Sequence, residues 1–245
     1  MLSFVCIGAQ KAGTSWVHAQ LARSPEIGFP RGKEVHYWDW VQRGKRPLNL
    51  IRYVEPFARD ADSPRLLGDM TPAYATVRPE YVHLHAQMYP EAPLFMLLRD
   101  PVERAWSAAR MDWAAEHPQA SMSPDPAWLA AYLRDPEVLA KGDYARSLRT
   151  WGAYFPAGRL RAFMYADIAR RPRPLLRDIC AHIGADDAFV DDITDAALME
   201  RVRPGPRSAP CPPAMAAELR AWYLPRMRAL EDLLGQALQD WQAAT

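Results

Sequence analysis

Five short apolar runs punctuate the chain, each closed by a glycine, a proline or a charged residue: "LSFVCIGA", "EIGFP", "RLLGDM", "APLFMLLRD" and "RLRAFMYAD". They are rich in β-formers and lack the polar alternation of a half-exposed strand. The first reads as a buried strand, and the others as further strands. Between them lie stretches of helical spacing. In "GTSWVHAQLARSP", Val17 and Leu21 are four apart and Pro25 closes the element. "RPEYVHLHAQMYP" and "PVERAWSAARMDW" are of the same kind.

Alternating strand and helix predicts an α/β fold, a parallel β-sheet flanked by helices on both faces. Ligands of such sheets bind beyond the carboxyl ends of the strands. The charged strand ends Asp69, Arg99 and Asp167 are expected along that edge. Residues 116–143 read as a helical insertion or lid. "RVRPGPRSAPCPP", with five prolines, reads as an ordered loop. A last amphipathic helix, "PAMAAELRAWYLPRMRALEDLLGQAL", should break at Pro225.

The totals narrow the class. At 245 residues, 49% hydrophobic and 24% charged, the chain suits one globular domain spanning 1–245. A net charge of +1 gives no bulk attraction to nucleic acid or to a membrane. Cys6, Cys180 and Cys211 are too dispersed for a metal site and too few for a disulfide framework. No signal peptide is read at the N-terminus, and no run approaches the roughly 18 apolar residues of a membrane span. A reducing, cytoplasmic setting is expected. Only four basic residues are Lys, and two of them, Lys11 and Lys33, fall in the candidate functional stretches.

The first of these is "IGAQKAGTSW", residues 7–16. A strand, a glycine-bearing turn and a helix start make an anion site, because the first helical N–H groups lack internal acceptors and the helix dipole adds to them. Lys11 adds a full charge, Gly13 permits close approach, and Thr14 and Ser15 add hydroxyls that can cap the helix. A triphosphate loop needs GxxxxGK[ST], with the Lys after the second glycine. Here Lys11 precedes Gly13, and neither a pair of strand-end acids for magnesium nor a GxGxxG fingerprint is present. The second stretch is "LLRDPVERAWSAAR". Pro101 can start a helix whose buried stripe is Val102, Ala105 and Ala109, leaving Ser107 off that stripe and able to meet Arg99 at a phosphate.

Together the two stretches resemble the cofactor motifs of the PAPS-dependent sulfotransferases (PAPS is 3′-phosphoadenosine 5′-phosphosulfate). "KAGTSW" is similar to the family's Lys-x-Gly-Thr-Thr/Ser loop, and Arg99 with Ser107 to its Arg-and-Ser pair eight residues apart. "RDPVERAWS" and "KEVHYW" resemble the heparan-sulfate-like, carbohydrate-modifying branch, and "YARSLRTWGAYFPAGRLRAFMYADI" the unit near the adenine site.

The resemblance implies that Lys11, Ala12, Gly13, Thr14 and Ser15 hold the 5′-phosphosulfate, and that Trp16 and Tyr165 flank the adenine. It implies Arg99 and Ser107 at the 3′-phosphate, joined by Arg203 or Arg207 from the late loop. It also implies transfer of a sulfuryl group from PAPS to a small-molecule or carbohydrate hydroxyl, giving adenosine 3′,5′-bisphosphate (PAP), with no metal. Glu34 is the implied base, Lys33 approaches the sulfuryl or leaving phosphate, and His36 competes as base because it titrates near neutrality. In an extended segment residues 34 and 36 face one side. Glu34, His36, Tyr37, Asp69 and Tyr74 are substrate-binding candidates, with Trp38, Trp40 and Trp113 as further pocket walls. Within the same class a lipid or amine acceptor stays open, and so do two other readings: a nucleotide kinase or NTPase using the 7–16 loop, and a catalytically silent PAP- or PAPS-binding protein. Oligomeric state is not legible.

Overall fold

The computed structural model describes residues 1–58, 60, 62–119, 124–200, 210–238 and 241. All five apolar runs are strands: β1 (Leu2–Gly8), β2 (Ile27–Gly28), β3 (Leu66–Asp69), β4 (Leu94–Leu98) and β5 (Leu160–Met164). They form one parallel sheet in the order β2-β3-β1-β4-β5. Every residue of β3 and β4 is buried, which is why these runs show no polar alternation.

Helices α1 (Thr14–Leu21), α2 (Trp38–Gln42), α3 (Leu50–Val54) and α4 (Pro79–Met88) precede β4. Between β4 and β5 lie α5 (Pro101–Glu116), α6 (Pro126–Arg134), α7 (Pro136–Ala140) and α8 (Tyr144–Gly152). After β5 come α9 (Asp167–Arg170), α10 (Pro172–Ile183), α11 (Asp195–Met199) and α12 (Pro213–Leu234). The β1–β2 and β3–β4 crossovers run in opposite directions across the sheet. With right-handed connections, α1 and α4 cover opposite faces. α10 packs against α1.

The chain divides into two compact units, Met1–Leu98 with Thr150–Arg203, and Arg99–Arg149 with Pro204–Thr245. In the second, α5, α6 and α7 each begin with an Asp-Pro pair. The carboxylates of Asp100, Asp125 and Asp135 accept the next free helical N–H groups, and the proline fills the first position, where no N–H is needed. The 116–143 stretch thus holds two short capped helices.

The break expected at Pro225 is absent, since α12 runs through it. Pro225 is on the exposed side, where water can satisfy the carbonyl that its missing N–H leaves without a partner. Leu219, Tyr223, Met227 and Leu230, buried on both sides of the proline, hold the helix in line.

The first unit has an aromatic core around His85 of α4. The Trp38 indole N–H donates to His85 Nδ1 at 3.2 Å, and the Tyr53 hydroxyl lies 3.3 Å from the same nitrogen. An indole N–H only donates, so Nδ1 accepts and the ring proton sits on Nε2. Tyr89, Trp151 and Phe155 complete the shell. Burial holds the imidazole pKa at about 3, against an ordinary 6.5. Between those values the unfolded chain takes up a proton that the fold refuses, so stability falls as pH drops from 6.5 toward 3. His85→Gln keeps an acceptor but does not titrate. Its melting temperature, scanned against pH, should lose the part of the acid sensitivity that wild type shows in that window. An unchanged profile would remove His85 as its source.

Candidate functional site

The loop after β1 is pinned at its start, where the Ala9 N–H donates to Leu97 O at 3.0 Å. It then turns through left-handed backbone at Lys11 (φ 66°) and Gly13 (φ 84°). Gly13 is itself the N-cap of α1, with no side-chain cap. Thr14 and Ser15 therefore lie inside the first helical turn, a correction to the expected capping role: the chain reaches the helix by a glycine turn, so no hydroxyl stands at the cap position. The turn has to be glycine. A Cβ there would stand 2.3 Å from Ile168 Cδ1 and 3.1 Å from the Tyr165 ring. Tyr165, whose N–H donates to Leu98 O at 2.8 Å, is thus brought against the loop. Ala12 and Trp16 are buried, and the Trp16 indole donates to Leu198 O at 2.9 Å.

The loop, the first N–H groups of α1, the Lys11 ammonium and two hydroxyls give a donor set suited to a multiply charged anion.

Residues 33–39 form a chain of alternating charge. Lys33 Nζ is 2.6 Å from Glu34 Oε1, His36 Nε2 is 2.9 Å from Glu34 Oε2, and His36 Nδ1 is 2.9 Å from Asp39 Oδ2. Residues 34 and 36 do meet, but not by strand alternation. His36 is left-handed (φ 51°), and this turn brings its ring back onto Glu34. Burial pushes the Glu34 carboxyl up, yet the His36 and Lys33 hydrogen bonds outweigh it and hold the pKa at about 2. Hydrogen bonds to Asp39 and then Glu34 raise His36 to about 9, against the effect of burial. At neutral pH Glu34 is a carboxylate and His36 an imidazolium that donates from both nitrogens.

This chain is anchored to the end of β3. The Met70 N–H donates to Lys33 O at 3.0 Å. Thr71 Oγ1 accepts the Val35 and His36 N–H groups at 2.9 and 3.3 Å while donating to Asp69 Oδ1 at 2.6 Å. Asp69 has no exposed surface, and burial raises its pKa to about 6 against the Thr71 hydrogen bond. Tyr37 and Tyr74 are wholly buried, with the Tyr37 N–H on Tyr74 Oη at 3.1 Å. They join the core beneath the loop, as does Trp38. β3 pairs with β1, so the acid–base chain sits on the strand beside the one that leads into the Lys11 loop.

In the second unit, Arg99 immediately precedes the α5 cap, and its carbonyl accepts the Tyr144 hydroxyl at 2.8 Å. Val102, Ala105 and Ala109 form the buried stripe as expected, and Ser107 stands half-buried off it. Arg110, one turn beyond Ser107 on the same side of α5, went unread in the sequence. Burial and then the Arg99 charge lower its pKa, and the Arg99 guanidinium itself pairs with Glu103 at 3.3 Å. The spacing of Ser107 and Arg110, three residues on one helix, was the available signal. Arg203 and Arg207 lie outside the described residues.

A model of the Sulfotransferase family matches residues 48–189, more than half of the chain. The membrane-associated sulfotransferase kil1 of Dictyostelium discoideum is 29% identical over 107 residues, 43% of this chain and 22% of that protein. The chain therefore aligns with under a quarter of that relative's length. Among solved structures, a sulfotransferase from Alicyclobacillus acidocaldarius superposes with a TM-score of 0.76 at 24% identity, covering 99% of each chain. The sulfotransferase domain of the Synechococcus PCC 7002 olefin synthase superposes at 0.51 with 18% identity, covering 95% and 94%. These two likenesses establish the fold. No helix among the described residues is long and apolar enough to cross a membrane.

The ordering of causes at His36 gives a direct check. Asp39→Asn removes the largest one, so the His36 pKa should fall well below 9, read by NMR titration of the ring nitrogens. A value still near 9 would assign the elevation to Glu34 alone.

Proposed function

The chain belongs to the sulfotransferase family, and on that premise we propose that it moves a sulfuryl group from PAPS to a hydroxyl of a carbohydrate or small natural product, leaving PAP. The observation that carries this reading is the pairing of the Lys11 anion loop after β1 with the Lys33–Glu34–His36 chain on the end of neighbouring β3. We read residues 1–245 as one sulfotransferase domain with a helical insertion at 116–143. A cytoplasmic setting is in keeping with Cys6, Cys180 and Cys211, all buried free thiols.

In this reading Lys11 and the N–H groups and hydroxyls of Gly13, Thr14 and Ser15 hold the 5′-phosphosulfate. Arg99 and Ser107, with Arg110 beside them, hold the 3′-phosphate, Arg203 or Arg207 adds a further cation, and Trp16 and Tyr165 lie toward the adenine. The donor supplies an activated sulfuryl group whose departure leaves negative charge on the bisphosphate. Lys11 is the preorganised cation for that charge.

Glu34 takes the acceptor's proton. At a pKa of about 2 it is a weak base, so it must first lose a cation. In this reading the cation that leaves is Lys33, an ammonium on a long side chain that pairs with Glu34 at 2.6 Å in the structure. When Lys33 turns to the donor's anionic oxygens, Glu34 loses one of its two stabilising partners and its pKa rises, while the larger His36 hydrogen bond stays in place. His36, charged at neutral pH, orients Glu34 and does not compete with it for the proton. Asp69 and Tyr74 support the acceptor side from beneath the loop.

A thermal-shift titration with PAP, beside AMP, ADP and magnesium–ATP, tests the donor site first. At about a hundred times its dissociation constant a ligand stabilises the fold by roughly 2.7 kcal/mol. Stabilisation by PAP alone is expected, and stabilisation by magnesium–ATP instead would return the 7–16 loop to a kinase or NTPase. In sulfuryl-transfer assays, Lys11→Ala should cost roughly a hundredfold or more in rate. Glu34→Gln should lose turnover while keeping PAP binding, and full activity in that variant would move the base to His36. Binding of PAP without turnover on any acceptor would make the chain a silent sensor.

A further inference from the structure

The segment that follows the acid–base chain carries a surface that sulfuryl transfer does not require. Among the described residues ten large apolar side chains are exposed, and four of them, Trp40, Leu48, Leu50 and Ile51, fall within twelve positions. Ile51 is 73% exposed. Scattered exposed apolar residues are ordinary, but a local cluster marks a contact surface. The same stretch, residues 40–52, contains Arg43, Lys45, Arg46 and Arg52 and no acid, a formal +4 in a chain whose total is +1.

The stretch is folded as one piece. The Gly44 and Lys45 N–H groups donate to Val41 O and Trp40 O at 3.0 and 2.9 Å. The Asn49 N–H donates to Tyr37 Oη at 2.7 Å, and Asn49 Oδ1 accepts from Arg52 N to cap α3. The Arg46 guanidinium lies 4.8 Å over the Trp40 ring, and the other neighbour of that ring is His36, stacked nearly parallel at 5.5 Å. Arg43, Lys45 and Arg52 are exposed, as are the apolar four. An indole, three aliphatic side chains and three cations, all exposed within one folded segment of thirteen residues, is the composition that suits a headgroup layer. The aliphatic groups enter the acyl boundary, the indole sits at the interface, and the cations meet lipid phosphates.

We propose that residues 40–52 dock the protein on an anionic lipid surface. Charge complementarity selects the lipid class, and the exposed aliphatic side chains select a bilayer over a soluble polyanion, which would leave Leu48, Leu50 and Ile51 in water. Through Trp40 the patch abuts His36, so docking would set the Glu34–His36 chain beside hydroxyls presented from the headgroup layer. The docking itself does not depend on the sulfotransferase reading.

The test is vesicle co-sedimentation of the full chain with phosphatidylcholine alone and with phosphatidylglycerol added, at low and physiological salt. Binding should need phosphatidylglycerol and weaken with salt. Leu48→Asp with Ile51→Asp should weaken it roughly tenfold or more. Arg43→Glu with Lys45→Glu should abolish the preference for the anionic lipid. Leu233→Asp, at an exposed leucine of α12, should change nothing. Thermal melts check each variant's fold, and a PAP titration reads the donor site separately. Three results would overturn the proposal: no binding to anionic vesicles, binding to a soluble polyanion that the Leu48/Ile51 pair leaves untouched, or a wild-type dimer that the same pair makes monomeric.

Discussion

Thr71 makes three hydrogen bonds with one hydroxyl, and their directions are coupled. Its proton goes to Asp69, so both lone pairs are left for the amides of Val35 and His36. A buried carboxylate at the end of β3 thereby fixes a loop that has no regular structure of its own. The left-handed His36 costs about 1–2 kcal/mol in backbone terms. Two amide hydrogen bonds of about 1 kcal/mol each are of the size needed to offset it. Replacing the hydroxyl by a methyl would remove a donor to Asp69 and an acceptor for two amides together. The loop would lose its geometry while the sheet kept its own.

What that geometry holds is a charge sequence, positive, negative, positive, negative, from Lys33 to Asp39. Partly buried charges are costly unless each has a close opposite partner, and here each one does. Asp39 is the deepest, with its side chain 4% exposed, while His36 is near one-third exposed. Lys33, the other terminal member, is also mostly buried, with its side chain 12% exposed against 27% for Glu34. On the proposed reading, an arriving anion competes for Lys33 and leaves the His36–Asp39 contact in place. The electrostatic state of Glu34 can then change while its position does not.

Much of this was readable before the fold was seen. β3 and β4 appear as apolar runs because both faces are covered, and the charged or glycine ends mark the functional edge for the same reason. The Lys11 loop is legible because strand, glycine and helix start follow within ten residues. The misses have separate causes. Periodicity assigns a residue to a face only inside a regular element, so the contact between Glu34 and His36 was expected from strand alternation when a left-handed turn makes it. Asp39 was not among the candidate residues, although residues 34, 36 and 39 lie close enough in sequence to share one turn. Pro225 was given its intrinsic effect, but packing on both sides and an exposed carbonyl override it. The apolar residues at 48–51 were legible as apolar and not as exposed, because burial is the ordinary fate of leucine and isoleucine.

The family match begins at residue 48, after the Lys11 loop and after the Lys33–Asp39 chain. Membership therefore rests on the strands and helices that build the frame, while the chemistry rests on an N-terminal stretch judged by its own geometry. These are separate lines of support. A frame of this kind can host many reactions, so it constrains where a ligand sits more than which ligand it is. The N-terminal stretch supplies what the frame lacks: a lysine in a left-handed turn that favours glycine at position 13, and a carboxylate held as a weak base by His36 and Lys33. On the proposed reading, the departure of Lys33 from Glu34 toward the donor links donor arrival to base activation. A site wired in this way has little means of deprotonating an acceptor before a donor is present.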